Sequence, residues 1–383
     1  MVITGARALI GDGFVETEVA VSGGVIVAVG GGAPSDAVRL DGDGLLLLPG
    51  LVDIHGDAFE RQLQPRPGVD FPAEIALLDT DRQLLANGIT TAFHGVTLSW
   101  EPGLRSVATF RALLAARTRL AGRLVADNRI HLRLETYAMD AWADAAAAIA
   151  RGDVHLLAFN DHTAEIARRS EDPARAAKYA ERAHVKGHEI LNLAREMLAR
   201  ADEVDGFIDA AAEAARTAGL PMASHDDASP AVRARWRDLG CRICEFPMNA
   251  ETGLAARAAG EGVIMGAPNV VRGGSHMGWH SAEAMVRAGA CDILASDYYY
   301  PAMARAAFLL AERGALPLEE AWALVSTNPA RAAGLDDRGT IAPGKRADLV
   351  LIEPDGPGAP RVIATVAGGR AAHLAPEAAL RLH

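Results

Sequence analysis

Histidines and carboxylates recur in this chain at the ends of short apolar segments. Asp53-Ile54-His55-Gly56-Asp57 closes one, and His131-Leu132-Arg133-Leu134-Glu135 forms another. Others end in Asn160-Asp161-His162, Ser224-His225-Asp226-Asp227 and Ser296-Asp297-Tyr298. Side chains two apart on an extended strand share a face. His55 and Asp57 can therefore point at one ion, while His131, Arg133 and Glu135 share a face opposite the two leucines. Imidazole and carboxylate are the usual ligands of a hydrolytic Zn²⁺ or Mn²⁺. A single such group ending a strand reads as an ordinary cap or hydrogen-bonding residue. So many converging in one cavity would be costly without a cation. Cys241-Arg242-Ile243-Cys244 has CxxC spacing, yet residues three apart on a strand face opposite ways, so both read as buried core thiols.

Eight apolar segments carry or precede these groups, at 51–55, 90–94, 130–135, 154–162, 221–225, 242–246, 263–267 and 292–297, and Ala/Arg/Leu-rich helical stretches separate them. Such alternation is the pattern of βα units on a parallel sheet, and eight units favour a closed (β/α)₈ TIM-type barrel over an open sheet. In that barrel the polar strand ends converge on one mouth, which is where the metal site is expected. The barrel is assigned to residues 49–335. Before it, short strands at 2–3, 8–10, 19–21 and 25–29 alternate with Gly and Asp turns. After residue 336 the strand pattern returns, so 1–48 and 336–383 are expected to form one small β-sandwich together. The Ala-rich run 143–150 reads as an ordinary surface helix.

The 383 residues suit a barrel of roughly 250 residues plus an accessory module. Half are hydrophobic, which argues against disorder. A net charge of −11 without a basic block makes nucleic acid and anionic membrane poor partners. A small anionic substrate would need local cationic groups. Three cysteines provide no disulfide framework, and there is no export signal or spanning segment, so the cytoplasm is expected. A homodimer is the expected assembly.

The order Pro49-Gly50-Leu51-Val52-Asp53-x-His55-x-Asp57, then Gly88-Ile89-Thr90-Thr91, and the closing Gly344-Lys345-Arg346-Ala347-Asp348-Leu349-Val350 resemble the amidohydrolase superfamily. More narrowly, Pro65-Arg66-Pro67-Gly68-Val69-Asp70, Ala223-Ser224-His225-Asp226-Asp227, Glu245-Phe246-Pro247, the run from Met265 to His276 and Ser296-Asp297-Tyr298-Tyr299 resemble its phosphonate-pathway branch, the α-D-ribose 1-methylphosphonate 5-triphosphate diphosphatases. The resemblance implies a metal-activated hydroxide that cuts a triphosphate and releases pyrophosphate. The chain departs from that pattern at Gly56, Ala58 and His94, and in the segment after Asp161-His162, where substrate contacts are expected.

Many amidohydrolases bridge two metals with a carboxylated lysine, but the three lysines here, Lys178, Lys186 and Lys345, lie off the barrel strands. By the resemblance, Glu135 takes the bridging place between two divalent ions, Zn, Mn or Fe. His55 and Asp57 go to one ion and His162 and His225 to the other, with Asp297 as the proton acceptor. Arg66, Arg133 and Arg272 are the first candidates to offset phosphate charge, and Asp226, Asp227, Asn269 and His276 are the further substrate contacts. Two rivals remain: a hydrolase of a cyclic amide or N-acyl bond with the same fold, and a non-enzymatic scaffold, which retention of the ligand set argues against.

Overall fold

The computed structural model describes residues 1–31, 36–274 and 281–383. Seven strands precede the barrel: β1 (Val2–Thr4), β2 (Arg7–Ile10), β3 (Gly13–Glu16), β4 (Val19–Ser22), β5 (Val25–Val29), β6 (Arg39–Asp41) and β7 (Leu46–Pro49). The barrel strands are β8 (Leu51–Gly56), β9 (Ile89–Leu98), β10 (Asp127–Glu135), β11 (Leu156–Asn160), β12 (Met222–His225), β13 (Ile243–Glu245), β14 (Gly262–Gly266) and β15 (Ile293–Ala295). Three more follow: β16 (Leu349–Glu353), β17 (Arg361–Ala367) and β18 (Arg370–Leu374).

β8 to β15 pair in sequence order as one parallel sheet. It curls until its first and last strands meet at a parallel bridge between Gly56 and Asp297, and the Asp297 N–H donates to the His55 carbonyl at 3.0 Å. The result is the expected eight-stranded barrel, with helices in the crossovers. The second strand runs four residues beyond its expected end, because Gly95 to Leu98 keep their register against His131 to Leu134 of β10. The fourth stops at Asn160, and His162 leads straight into the helix Thr163–Arg169.

The remaining strands form sheets of four (β5-β4-β1-β6) and six (β18-β17-β16-β7-β2-β3). β7 from the start of the chain pairs antiparallel with β16 from its end, Leu349 opposite Pro49, so both ends build one sheet as expected. Ile3, Val19, Leu47, Leu349 and Ile363 fill the core between them. β7 also pairs parallel with β2, so this apolar strand is shared by both ends of the chain.

The barrel interior explains where chemistry can sit. Its floor is Val52, Phe93, Leu156, Ala158, Ala223, Ile243, Ile264 and Ile293. Two residues further along the same inward rows, Ala158 gives way to Asn160, Ala223 to His225 and Ile243 to Glu245. The interior thus changes from apolar to ionisable within one layer, toward the carboxyl ends. No helix among the described residues is long and apolar enough to cross a membrane.

Candidate metal centre

The lower tier of the mouth comes from four strands. Register shifts in β8 after Leu51 and Asp53 turn His55 inward. Its ring packs against Phe246 at 4.8 Å, His131 at 5.2 Å and His225 at 5.5 Å. Glu245 lies beneath, with Oε1 3.0 Å from His55 Nδ1 and 3.6 Å from His131 Nε2, and all three side chains are buried. Both ring nitrogens of His131 and Glu245 Oε2 lack a hydrogen-bond partner among the described residues, while His55 Nδ1, Glu245 Oε1 and His225 Nδ1 have close ion-pair contacts but no well-aligned hydrogen bond. Of these residues, His55, His225 and Glu245 bring ligand atoms within 4.8 Å of one another, and buried polar atoms left so are what a bound cation satisfies. Burial, aided by Arg133, holds the His55 ring well below its ordinary range, and burial pushes His131 down to about 3, so both stay neutral, the form that ligates metal.

The upper tier is built on His162. Its Nδ1 lies 2.7 Å from Glu135 Oε1 and its Nε2 3.3 Å from Asp226 Oδ2, while its backbone N–H donates to Glu135 Oε2 at 3.1 Å. Asp226 Oδ2 is also 3.0 Å from His225 Nδ1. Burial opposes a charge on His162, but Glu135 and Asp226 outweigh it and push the ring up to about 9, so cation binding here displaces a proton. Two sets of three ligand atoms lie within 4.8 Å of one another: His55, His225 and Glu245, and His162, His225 and Asp226. His225 is common to both.

Asp57 and Asp297 complete the rim. Arg133 reaches from β10 to Asp57 Oδ2 at 3.4 Å and to His225 Nε2 at 3.3 Å. Burial, then the charge of Asp57, pushes the Asp297 carboxyl up to about 7. A Cβ on Gly266 would sit 3.1 Å from Asp297 Oδ2, so that glycine leaves room for the carboxylate. A Cβ on Gly56 would stand 2.5 Å from Asp53 Oδ2, which accounts for glycine at one point of departure from the family pattern. Asp226, Phe246 and Asp297 all have left-handed backbone, φ 58°, 51° and 54°. Non-glycine residues in that region cost free energy and cluster at functional sites.

The mouth thus gathers His55, Asp57, Arg133, Glu135, His162, His225, Asp226 and Asp297. The other expected contacts have these surroundings. Asp227 is buried on the far side of β12, bonded to Ser224 Oγ at 2.7 Å and paired with Arg233 at 3.2 Å, out of the open cavity. Asn269 Oδ1 accepts the Ala282 N–H at 2.9 Å and so fastens the next helix. Arg272 is exposed, with Nη1 3.2 Å from Tyr298 Oη, and Arg66 is exposed in the loop before Val69. His276 lies outside the described residues. Cys241 and Cys244 are buried free thiols, as expected. Glu245 and His131 were not singled out as ligands from sequence. For Glu245 the signal was an inward polar residue two positions beyond the apolar Ile243, and for His131 it was the face shared with Arg133 and Glu135.

The family model described as "Amidohydrolase family" matches residues 76–373. The α-D-ribose 1-methylphosphonate 5-triphosphate diphosphatase of Escherichia coli (strain K12) is 33% identical over 357 residues, 92% of this chain and 94% of that protein. The β-aspartyl dipeptidase of Fervidobacterium islandicum-AW-1 superposes with a TM-score of 0.63 at 15% identity, covering 97% of this chain and 96% of its own. The N-acetylglucosamine-6-phosphate deacetylase of Pasteurella multocida does so with 0.62 at 12%, covering 97% and 99%. These two share the fold. A family model matched over most of the length, together with one relative sharing a third of its residues almost end to end, makes this chain a member of the amidohydrolase family.

Proposed function

We propose that this protein is a metal-dependent diphosphatase that hydrolyses α-D-ribose 1-methylphosphonate 5-triphosphate to the 5-phosphate and pyrophosphate in phosphonate breakdown. The observation that carries the reading is the 33% identity, along 92% of the chain, to a protein named for that reaction. The donor set at the mouth is compatible with it. Divalent cations held by His55, His225 and Glu245, and by His162, His225 and Asp226, would supply Lewis-acid polarisation of a phosphoryl oxygen and an acidified water.

The chain's own residues have separable tasks. Glu135 fixes the orientation of His162 through two contacts, one to the ring and one to the backbone. Arg133 ties Asp57 to the wall and holds positive charge beside His225. Asp297 stands at the seam facing Gly266, where it accepts the proton of the attacking water. Hydrolysis breaks the α–β anhydride: water supplies a hydroxyl to one phosphorus, its proton goes to Asp297, and pyrophosphate leaves.

A panel of sugar and nucleoside triphosphates, hydantoins, lactams and N-acyl amino acids, offered to protein loaded with Zn, Mn or Fe, tests the reading. Pyrophosphate, not orthophosphate, is expected from the triphosphates. Turnover confined to C–N bonds would replace the proposal with an amide hydrolase.

A further inference from the structure

Beside His162 and Asp226 a cavity of about 250 Å³ opens, and four guanidinium groups line it: Arg105, Arg133, Arg169 and Arg182. They come from separate elements. Arg105 ends the helical turn Gly103–Arg105 after β9, Arg133 lies on β10, Arg169 ends the helix Thr163–Arg169, and Arg182 lies on the helix Pro173–Ala183. The last two belong to the segment that departs from the family pattern after His162.

Each of the three outer arginines is anchored by a carboxylate. Arg105 donates from Nε and Nη2 to Glu60 at 3.2 and 3.3 Å. Arg182 grips Glu101 from the same two nitrogens, at 2.9 Å and at 2.7–2.8 Å. Arg169 Nη2 lies 2.5 Å from Glu165. Held by one edge, a guanidinium is oriented in advance and keeps its Nη1 donors for another acceptor. A structural ion pair is the plainer reading of each, but Glu101 is only 2% exposed, and burying such a pair is a poor source of stability. Asp57, Glu101, Glu135, Glu165 and Asp226 line the same space and balance the guanidinium charge, so what the wall offers an anion is a set of oriented N–H donors, with the net positive charge supplied by cations at the adjoining tier. The cavity shares His162 and Asp226 with the upper metal tier, so an anion in it would adjoin the reacting centre.

We infer that Arg105, Arg169 and Arg182 form the subsite for the pyrophosphate end of a polyphosphate substrate, with Arg133 at its junction with the metal centre. The inference rests on the diphosphatase reading and deepens it. It adds the cavity wall to Arg66 and Arg272 as a place of phosphate recognition and makes the segment 163–183 the specificity-determining one. Planar guanidinium forks match phosphate oxygens in pairs, and charge developing on the leaving group would be met by donors already in place.

The test is calorimetric titration of inorganic pyrophosphate into metal-loaded protein, with metal content measured in every variant. Arg169→Gln, Arg182→Gln and Arg105→Gln are each expected to bind at least tenfold more weakly with metal content unchanged. Arg111→Gln, on the exposed Asp144 pair, is expected to bind as the parent does. Arg182→Gln strands Glu101, so if it fails to fold, Arg169→Gln, whose partner Glu165 is solvent-accessible, decides. Equal affinity in all variants overturns the subsite. A protein that releases pyrophosphate from triphosphates yet does not bind it also overturns the subsite, while the proposed function stands. If no triphosphate is cleaved but the arginine variants still lose pyrophosphate, the subsite holds as an oxyanion site and the diphosphatase reading fails.

Discussion

Ser296 and Asp53 lock the seam of the barrel: the Ser296 hydroxyl donates to Asp53 Oδ2 at 2.5 Å and its backbone N–H to Oδ1 at 3.0 Å, joining the last strand end to the first. His55 and Asp297 flank these two residues, so the seam also sets the spacing across the metal centre. Ser296→Ala removes one bond to a fully buried carboxylate and is expected to cost about 1.5–3 kcal/mol of unfolding free energy. Urea unfolding checks it, and unchanged stability would show that the backbone contacts alone hold the closure.

Purified protein should carry one or two equivalents of a divalent metal, measured by elemental analysis. Glu245→Gln removes a charge whose two oxygens have no hydrogen-bond partner among the described residues. It should lose at least one equivalent and nearly all turnover. Glu135→Gln tests the bridge that the family resemblance implies. Loss of a metal equivalent is expected from a shared ligand, whereas full occupancy would leave Glu135 only the task of orienting His162.

Asp297→Asn keeps the shape of the seam and removes the proton acceptor. Turnover should fall by roughly 10²–10⁴ with metal content and fold unchanged. Metal loss in this variant would make Asp297 chiefly a ligand.

Acid sensitivity should come in part from His94, outside the metal centre. Burial, opposed by its 2.7 Å hydrogen bond to Asn128, lowers its pKa from 6.5 to about 4. Between those values the unfolded chain binds a proton that the folded chain refuses, so stability is present above pH 6.5 and lost as pH falls toward 4. The lost contribution is roughly 3 kcal/mol. Arg117 adds to the depression, while Asp81, bonded to Asn128 and pushed up by burial, works in the opposite sense. The difference between wild-type and His94→Asn unfolding free energies across pH 4–7 isolates the histidine. Parallel curves would exclude it.

The barrel and one wall of its centre were legible in the sequence because both follow from local periodicity. Eight apolar segments alternating with helical ones leave few topologies, and period two alone puts His131, Arg133 and Glu135 on one face. What periodicity cannot state is which way the chain turns once a strand ends. Asp226 and Asp227 are neighbours of the same type, yet the left-handed backbone at Asp226 sends its carboxylate to His162 and His225, while Asp227 goes to Arg233 behind the sheet. Only tertiary packing decides that, because the bonds that stabilise each direction come from other strands. The same holds for Glu245, whose role appears only when β13 is set opposite His55, and for Arg105, Arg169 and Arg182, which share a cavity because two crossover segments, β9 to β10 and β11 to β12, fold over one mouth. The residue types able to do chemistry were therefore legible along the chain, and barrel closure decided which of them face one another.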